Sequence, residues 1–171
     1  MNWESLTAVG TFFSGFIIAT TAIIAMRQLD HLRKATQLEG AMAIFADLDR
    51  TEFRESIRFI ATELPGRMED ASFRQGVPLG NSADDAVHKE LIVLRKFEDV
   101  GTYVKHGLLD SALIYDNAFA LIAKSWSGLQ EVVAIHRAAG GLGFWENFEY
   151  LFRNGKIWVE RNKPANYVNL A

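Results

Sequence analysis

An uncharged stretch of twenty-one residues, Leu6 to Met26, constrains the fold more than any other feature of this sequence. A helix of that length rises about 31 Å at roughly 1.5 Å per residue, which matches the hydrocarbon core of a bilayer, about 30 Å thick. Its Thr and Ser hydroxyls can bond to carbonyl groups one turn back, so lipid tolerates them. The stretch therefore predicts a single membrane-spanning helix near the N-terminus.

The residues that flank this stretch predict its orientation. The segment before it, residues 1–5, contains no Lys or Arg, whereas Arg27, Arg33 and Lys34 follow it. The positive-inside rule then places the N-terminus outside and the C-terminal domain in the cytoplasm. A cleaved signal peptide is the competing interpretation, since Thr20–Ala22 offers small residues for cleavage, but the basic region that such a peptide needs is missing.

Small residues collect on one side of a helical wheel drawn through this stretch. They are Gly10, Thr11, Ser14, Gly15, Ala19 and Ala22, and Leu29 and Leu32 continue the same side beyond the span. Such spacing lets two helix backbones approach closely within lipid. A single span has no second helix of its own to meet, so we hypothesise that this face packs on a copy of itself or on another membrane protein. The alternative is that small residues are simply common in single spans.

The rest of the sequence predicts an all-α fold, in which the N-terminal transmembrane helix continues into a cytoplasmic helical bundle. No proline interrupts residues 27–48, so the helix should extend beyond the membrane. A helical domain over residues 49–155 and a C-terminal tail over residues 156–171 complete the chain. The 171 residues allow one anchor and one domain with a real core, so we expect a single soluble domain.

Capping signals divide the helical domain. The stretch 65–82 is rich in Gly and Pro and predicts a long loop with one short helix near Met68 to Arg74. Of four further predicted helices, the first is opened by Asp49 and Glu52 as a capping box, and the second is opened by Ser82 and Asp85 and ended by Gly107. The third is capped by Asp110 and ended by Gly140 and Gly141. The fourth is a short helix within residues 143–155.

Composition excludes several classes of function. A net charge of −3 leaves no basic surface, so we expect no nucleic-acid partner. The absence of cysteine excludes disulfides, thiolate zinc sites and a cysteine nucleophile. No zinc-protease or nucleophile-elbow motif occurs, and the sequence predicts no metal and no cofactor. The four histidines lie in separate predicted helices and are interpreted as surface or capping residues: His31, His88, His106 and His136.

Two groups of charged residues leave alternatives open. Arg50, Arg54 and Arg58 could bind anionic lipid head groups, or they could form ordinary salt bridges with the interleaved acidic residues. Glu98 falls on the apolar face of its helix, where it is either paired with an arginine or a backbone group or else functional. With Glu146 and Glu149 of the last predicted helix, it is the candidate polar site for a catalytic or ligand-binding bundle.

Two segments, KFEDVGTYVKHGLLDSALIYD and GFWENFEYLF, resemble an uncharacterised family of small bacterial single-span membrane proteins, the domain of unknown function DUF4760. The matching residues are Phe97, Glu98, Gly101, Gly107, Asp110, Glu146, Asn147, Phe148 and Glu149. The resemblance implies a membrane helix followed by a helical domain and supplies no activity. Together with the charge pattern, it predicts a protein of the bacterial inner membrane. The small-residue face predicts assembly with itself or with a membrane partner, and we expect no enzymatic activity.

Overall fold

A computed structural model describes residues 3–78 and 86–163 of the chain, without the side chains of residues 4–9. Within these residues the chain forms seven helices and no strand, which confirms the all-α prediction. It divides into two compact units between Glu39 and Gly40. The helices are α1 (Trp3–Leu48), α2 (Thr51–Thr62), α3 (Leu64–Arg67), α4 (Ala71–Gly76), α5 (Glu90–Lys105), α6 (Ser111–Gly140) and α7 (Glu146–Asn162).

The first unit contains the N-terminal part of α1. Every side chain from residue 10 to residue 36 is exposed. The hydroxyls of Thr20 and Thr21 each donate to the carbonyl oxygen four residues earlier, at 2.9 and 2.8 Å. This confirms, for these two residues, the bonding that makes hydroxyls acceptable in an apolar helix.

The second unit is a bundle in which α2, α5, α6 and α7 pack around one core. The start of α6 is capped by Asp110, whose carboxylate accepts a hydrogen bond from the Ala112 backbone N–H at 2.8 Å, as predicted. Helix α7 contacts both α5 and α6. Its buried residues recur at spacings of three and four, which makes one continuous stripe: Phe148, Leu151, Gly155 and Val159.

Phe148 lies at the centre of an aromatic cluster that joins these helices. Its ring stacks on Phe97 of α5, with centroids 5.0 Å apart, and meets Trp126 of α6 edge-on at 5.0 Å. Phe97 in turn contacts Phe53 of α2 at 5.8 Å, again edge-on. Offset and edge-to-face pairs add to the free energy of area burial, so this cluster fixes the relative placement of the four bundle helices.

The start of α2 differs from the prediction. Helix α2 begins at Thr51, and its N-cap residue Arg50 makes no side-chain cap bond, so the predicted capping box of Asp49 and Glu52 is wrong. The reason is that the Asp49 backbone N–H bonds to the Phe45 carbonyl oxygen at 3.1 Å. Asp49 therefore completes the end of α1 instead of opening the next helix.

The segment before α5 also differs. Helix α5 begins at Glu90, later than predicted, and the proposed cap residues Ser82 and Asp85 lie outside the described residues. The loop predicted over residues 65–82 contains most of α3 and all of α4, two short helices where one was expected. Asp70 caps α4 by accepting the Ser72 backbone N–H at 2.8 Å.

Helix α7 is longer than predicted. It continues to Asn162, so the first seven residues of the segment 156–171 are helical and do not belong to a tail. The physical reason is that Val159 is buried and that no helix-breaking residue precedes Pro164, which lies outside the described residues. Trp158 packs against the core, whereas Ile157 is 45% exposed.

Gly101 permits the closest approach between α5 and α7. A Cβ atom at this position would lie 2.1 Å from the Asn147 carbonyl oxygen, a distance that the two backbones cannot accommodate without moving apart. The glycine is therefore required by packing, because its conformation in the middle of α5 is ordinary for any residue.

We predict that Gly101→Ala lowers the free energy of unfolding of the bundle by about 3 kcal/mol, because the added methyl group forces backbone movement in a packed core. Gly66→Ala is the matched control, since a Cβ at Gly66 has no neighbour within 4 Å. Urea unfolding of the full chain in a non-ionic detergent measures both variants. Equal stability of the two variants would contradict this view of the α5–α7 contact.

Candidate functional site

The predicted helix-helix face lies on the first unit, and its described side chains are all exposed. A Cβ atom added at Gly10 or at Gly15 would meet nothing within 4 Å. These two glycines therefore differ from Gly101, because no contact within this chain requires them. The remaining residues of the face share this exposure: Thr11, Ser14, Ala19, Ala22, Leu29 and Leu32.

Large apolar side chains are exposed on the same helix. Phe12 is 76% exposed and Ile18 is 69% exposed. Among the described residues, one helix is long and apolar enough to span a membrane, and it is α1 from Gly10 onwards. A signal sequence near an N-terminus meets the same criteria of length and composition.

Glu98 has a defined partner in the second unit, the first turn of α7. Its Oε2 accepts the Phe148 backbone N–H at 2.9 Å, and its Oε1 accepts the backbone N–H and the side-chain amide of Asn147 at 3.2 and 2.9 Å. These backbone groups are at the second and third positions of the helix, which an N-cap side chain normally satisfies. Glu98 therefore caps α7 from a neighbouring helix, and it pairs with neither Arg58 nor Arg137.

The reason for this remote cap is the residue at the N-cap position itself. Trp145 occupies it with φ 60° and ψ 29°, a left-handed conformation that is uncommon for a non-glycine residue, and it makes no cap bond. Its indole ring is buried, and its Nε1–H donates to His136 Nδ1 at 2.6 Å. Burial of this ring holds the strained backbone, and the Glu98 carboxylate supplies the missing acceptor.

Glu146 and Glu149, the other two candidate residues, form ion pairs on the flank of α7. Glu146 accepts from Lys105 Nζ at 3.3 Å. Glu149 lies between Arg137 at 2.8 Å and Arg153 at 2.5 Å. The structure thus brings all three carboxylates to the first turn of α7, each with hydrogen-bonding or ionic partners.

Two histidines that the sequence assigned to the surface are buried. His88 is 5% exposed and His136 is 1% exposed, so the surface interpretation is wrong for both, whereas His31 and His106 are exposed as expected. The signal in the sequence was the position of His136 on the apolar face of α6, among residues such as Val132 and Val133. Both of those neighbours are buried.

His136 is held in one tautomer by its two partners. Nε2 lies 2.6 Å from the Val77 carbonyl oxygen and must carry the proton, because a carbonyl can only accept. Nδ1 accepts from the Trp145 indole at 2.6 Å. Burial lowers the pKa of His136, with a smaller contribution from His88, and the bond to Val77 opposes this. The imidazole is therefore neutral and joins α4, α6 and the start of α7.

A second buried pair, His88 and Glu90, lies near the start of α5. Their side chains meet at 2.7 Å, and the His88 ring stacks on Phe73 with centroids 4.5 Å apart. Burial raises the pKa of Glu90, and the contact with His88 opposes that shift. Gly76 leaves room for the imidazole, since a Cβ there would lie 2.5 Å from His88 Nε2.

None of these clusters has the composition of a metal centre. Across residues 3–78 and 86–163, no group of three His, Cys, Asp or Glu side chains is placed to hold a metal ion. The buried polar groups bond mainly to backbone, to indole or to each other. Their arrangement positions helices, as a hydrogen-bonded core network does.

The fold and these contacts define a class of protein: an all-α chain with one exposed apolar N-terminal helix and a helical bundle whose buried polar groups hold helix ends. The chain belongs to the family of the domain of unknown function DUF4760, whose model matches residues 15–154. No curated protein matches the chain. No solved structure matches it either.

We predict that Glu98→Gln lowers the free energy of unfolding by about 1–3 kcal/mol, because a neutral amide replaces a carboxylate that accepts partly buried backbone N–H groups. Glu146→Gln is the control on the same turn, and loss of its exposed ion pair should cost less than about 1 kcal/mol. Chemical unfolding of both variants provides the comparison. A Glu98→Gln variant as stable as the native chain would remove the capping role.

A further prediction concerns pH. The folded state binds a proton at His136 less readily than the unfolded state does. The contribution of His136 to the free energy of unfolding is therefore complete above the ordinary His pKa of about 6.5, and it is lost as pH falls below that value. His136→Gln keeps a donor and an acceptor but does not titrate. Its thermal midpoint should therefore fall less than that of the native chain between about pH 7.5 and about pH 5.5.

The control for this pH prediction is His106→Gln, which replaces an exposed imidazole that bonds to neither Val77 nor Trp145, so a change confined to His136→Gln belongs to the buried site. The raised pKa of Glu90 acts with the opposite sign, because stability from that group is lost as pH rises through its folded pKa. Glu90 is present in all three proteins, so its contribution cancels in the comparison. Identical pH profiles for the native chain and His136→Gln would refute the assignment.

Proposed function

We propose that this protein is a membrane-anchored helical protein whose function is assembly, either with copies of itself or with a membrane-protein partner, through the small-residue face of α1. In this proposal the N-terminus is outside the inner membrane of a bacterium and the bundle is in the cytoplasm. Arg27, Arg33 and Lys34 on the bundle side of the span support that orientation through the positive-inside rule.

The observation that carries the proposal is the exposure of α1. Every side chain from residue 10 to residue 36 is exposed, including phenylalanines and isoleucines on one side and small residues on the other. Contiguous apolar surface of this extent is characteristic of membrane or protein interaction sites. A bilayer would cover the bulky side, and a second helix would cover the small side, where Gly10 and Gly15 leave open space.

The alternative function, a catalytic or ligand-binding bundle that uses Glu98, Glu146 and Glu149, gains no support from the geometry. Glu98 caps α7, and the other two carboxylates form ion pairs. A general base must reach a substrate proton, whereas the Glu98 carboxylate already accepts backbone N–H groups. Assembly is therefore the function that we propose.

We predict that Gly15→Leu weakens association of the chain at least about tenfold, because the larger side chain separates the helix backbones, while Gly15→Ala has a smaller effect. Energy transfer between labelled chains in liposomes measures self-association, and mass determination after mild extraction measures binding to a partner. Ile17→Leu, a volume-conserving change on the bulky side, is the control. Thermal unfolding of the bundle should be unchanged in all three variants.

The absence of native cysteines gives a second readout for self-association. Ala19→Cys on the small side should form a disulfide between two parallel copies in the membrane, whereas Ile17→Cys on the bulky side should not. Failure of Ala19→Cys to crosslink, together with a membrane protein bound after mild extraction, would assign the face to that partner. Association that survives Gly15→Leu unchanged would refute the proposal.

A further inference from the structure

An open groove lies between α2 and α6 in the second unit, away from Glu98 and from both buried histidines. Its volume is about 510 Å³, within the range of about 300–1,000 Å³ that is typical of small-molecule sites. Its lining is mostly apolar. The apolar residues that line it are Ile57, Ile60, Ala61, Pro65, Leu121 and Gly128.

Three cationic side chains also line this groove: Arg54 and Arg58, one turn apart on α2, and Lys124 on α6. From the sequence, salt bridges between these arginines and the interleaved acidic residues were one of two alternatives. In the described part of the chain, none of the three cations forms an ion pair. Glu55 borders the neighbouring pocket without pairing with them. Like charges one turn apart repel, so an anion between them would be stabilising.

Ser125 adds a polar group that is already desolvated. Its side chain is 3% exposed, it lines the groove, and its Oγ has no hydrogen-bond partner. Ser56 on α2 behaves differently, since its hydroxyl donates to the Glu52 carbonyl oxygen at 2.8 Å. A buried hydroxyl without a partner costs free energy that a ligand oxygen could recover.

We propose that this groove binds a single-chain anionic amphiphile, with an alkyl chain on the apolar floor and a phosphate or carboxylate head between Arg54, Arg58 and Lys124. The guanidinium groups present forked donors that match both kinds of head group. Ser125 donates to the bound molecule. Neither the span nor its small face enters the argument, so the groove and the assembly proposal stand or fall separately.

The test is binding of octyl phosphate to the full chain in phosphatidylcholine nanodiscs, measured by calorimetry against empty nanodiscs. Inorganic phosphate supplies the head alone, and 1-octanol supplies the tail alone. We expect octyl phosphate to bind at least about tenfold more tightly than either, because the head and tail interactions add. Octanoate should bind as well, since the same cations accept a carboxylate.

Three variants locate the site. Arg54→Ala combined with Arg58→Ala should weaken octyl phosphate binding at least about tenfold. The matched control, Arg67→Ala with Lys156→Ala, removes two charges outside the groove and should change affinity less than about twofold. Ser125→Ala should weaken binding several-fold and leave the thermal midpoint unchanged or higher, since it removes an unsatisfied buried group.

Several outcomes would overturn the proposal. Inorganic phosphate binding as tightly as octyl phosphate would make the site a simple anion site, and octanol binding as tightly would make the charges irrelevant. Full affinity in the doubly substituted arginine variant would place the ligand elsewhere. The absence of binding by both octyl phosphate and octanoate would reject a lipid-like ligand and leave the groove to a protein segment.

Discussion

The bundle depends on how the first turn of α7 is held. Trp145 begins the helix in a left-handed conformation and cannot cap it, so the backbone N–H groups behind it need an acceptor from elsewhere. Glu98 supplies that acceptor from α5, and Gly101, one turn further on, lets the two backbones touch. Phe148, within the same turn, then enters the aromatic core. Polar capping and apolar packing therefore both involve the first turn of α7. Each of the two depends on the other for its position.

Local signals in the sequence were sufficient for the elements that local chemistry determines. Asp110 and the glycines at 140 and 141 bound α6 as predicted, because cap and terminator lie within a few residues of the helix. The cap of α7 was not predictable in this way, since its acceptor lies 49 residues earlier in the chain. The sequence placed Glu98 on an apolar face, where it is either paired or functional, and only the fold could show that it is paired and which backbone it meets.

The buried histidines illustrate a second limit of sequence reasoning. A lone histidine on a helix is usually at the surface, and that expectation fails when two distant partners satisfy both ring nitrogens. Val77 is 59 residues from His136, and Trp145 is nine residues from it across a tight turn. The periodicity of α6 placed His136 on the apolar side, so the sequence contained the warning but not the partners. Burial of a polar side chain is evidence for a network even before its members are known.

The small-residue face of α1 and the groove between α2 and α6 have compositions that no contact inside the chain explains. Gly101 and Gly76 are explained by the atoms that a Cβ there would meet, whereas a Cβ at Gly10 or Gly15 would meet nothing within 4 Å. In the same way, Arg50, Arg74, Arg137 and Arg153 form ion pairs with carboxylates, whereas Arg54, Arg58 and Lys124 line an apolar groove without one. Desolvation and packing alone distinguish the residues that stabilise the fold from those that do not. What the fold does not use is where a partner or a ligand should be sought first.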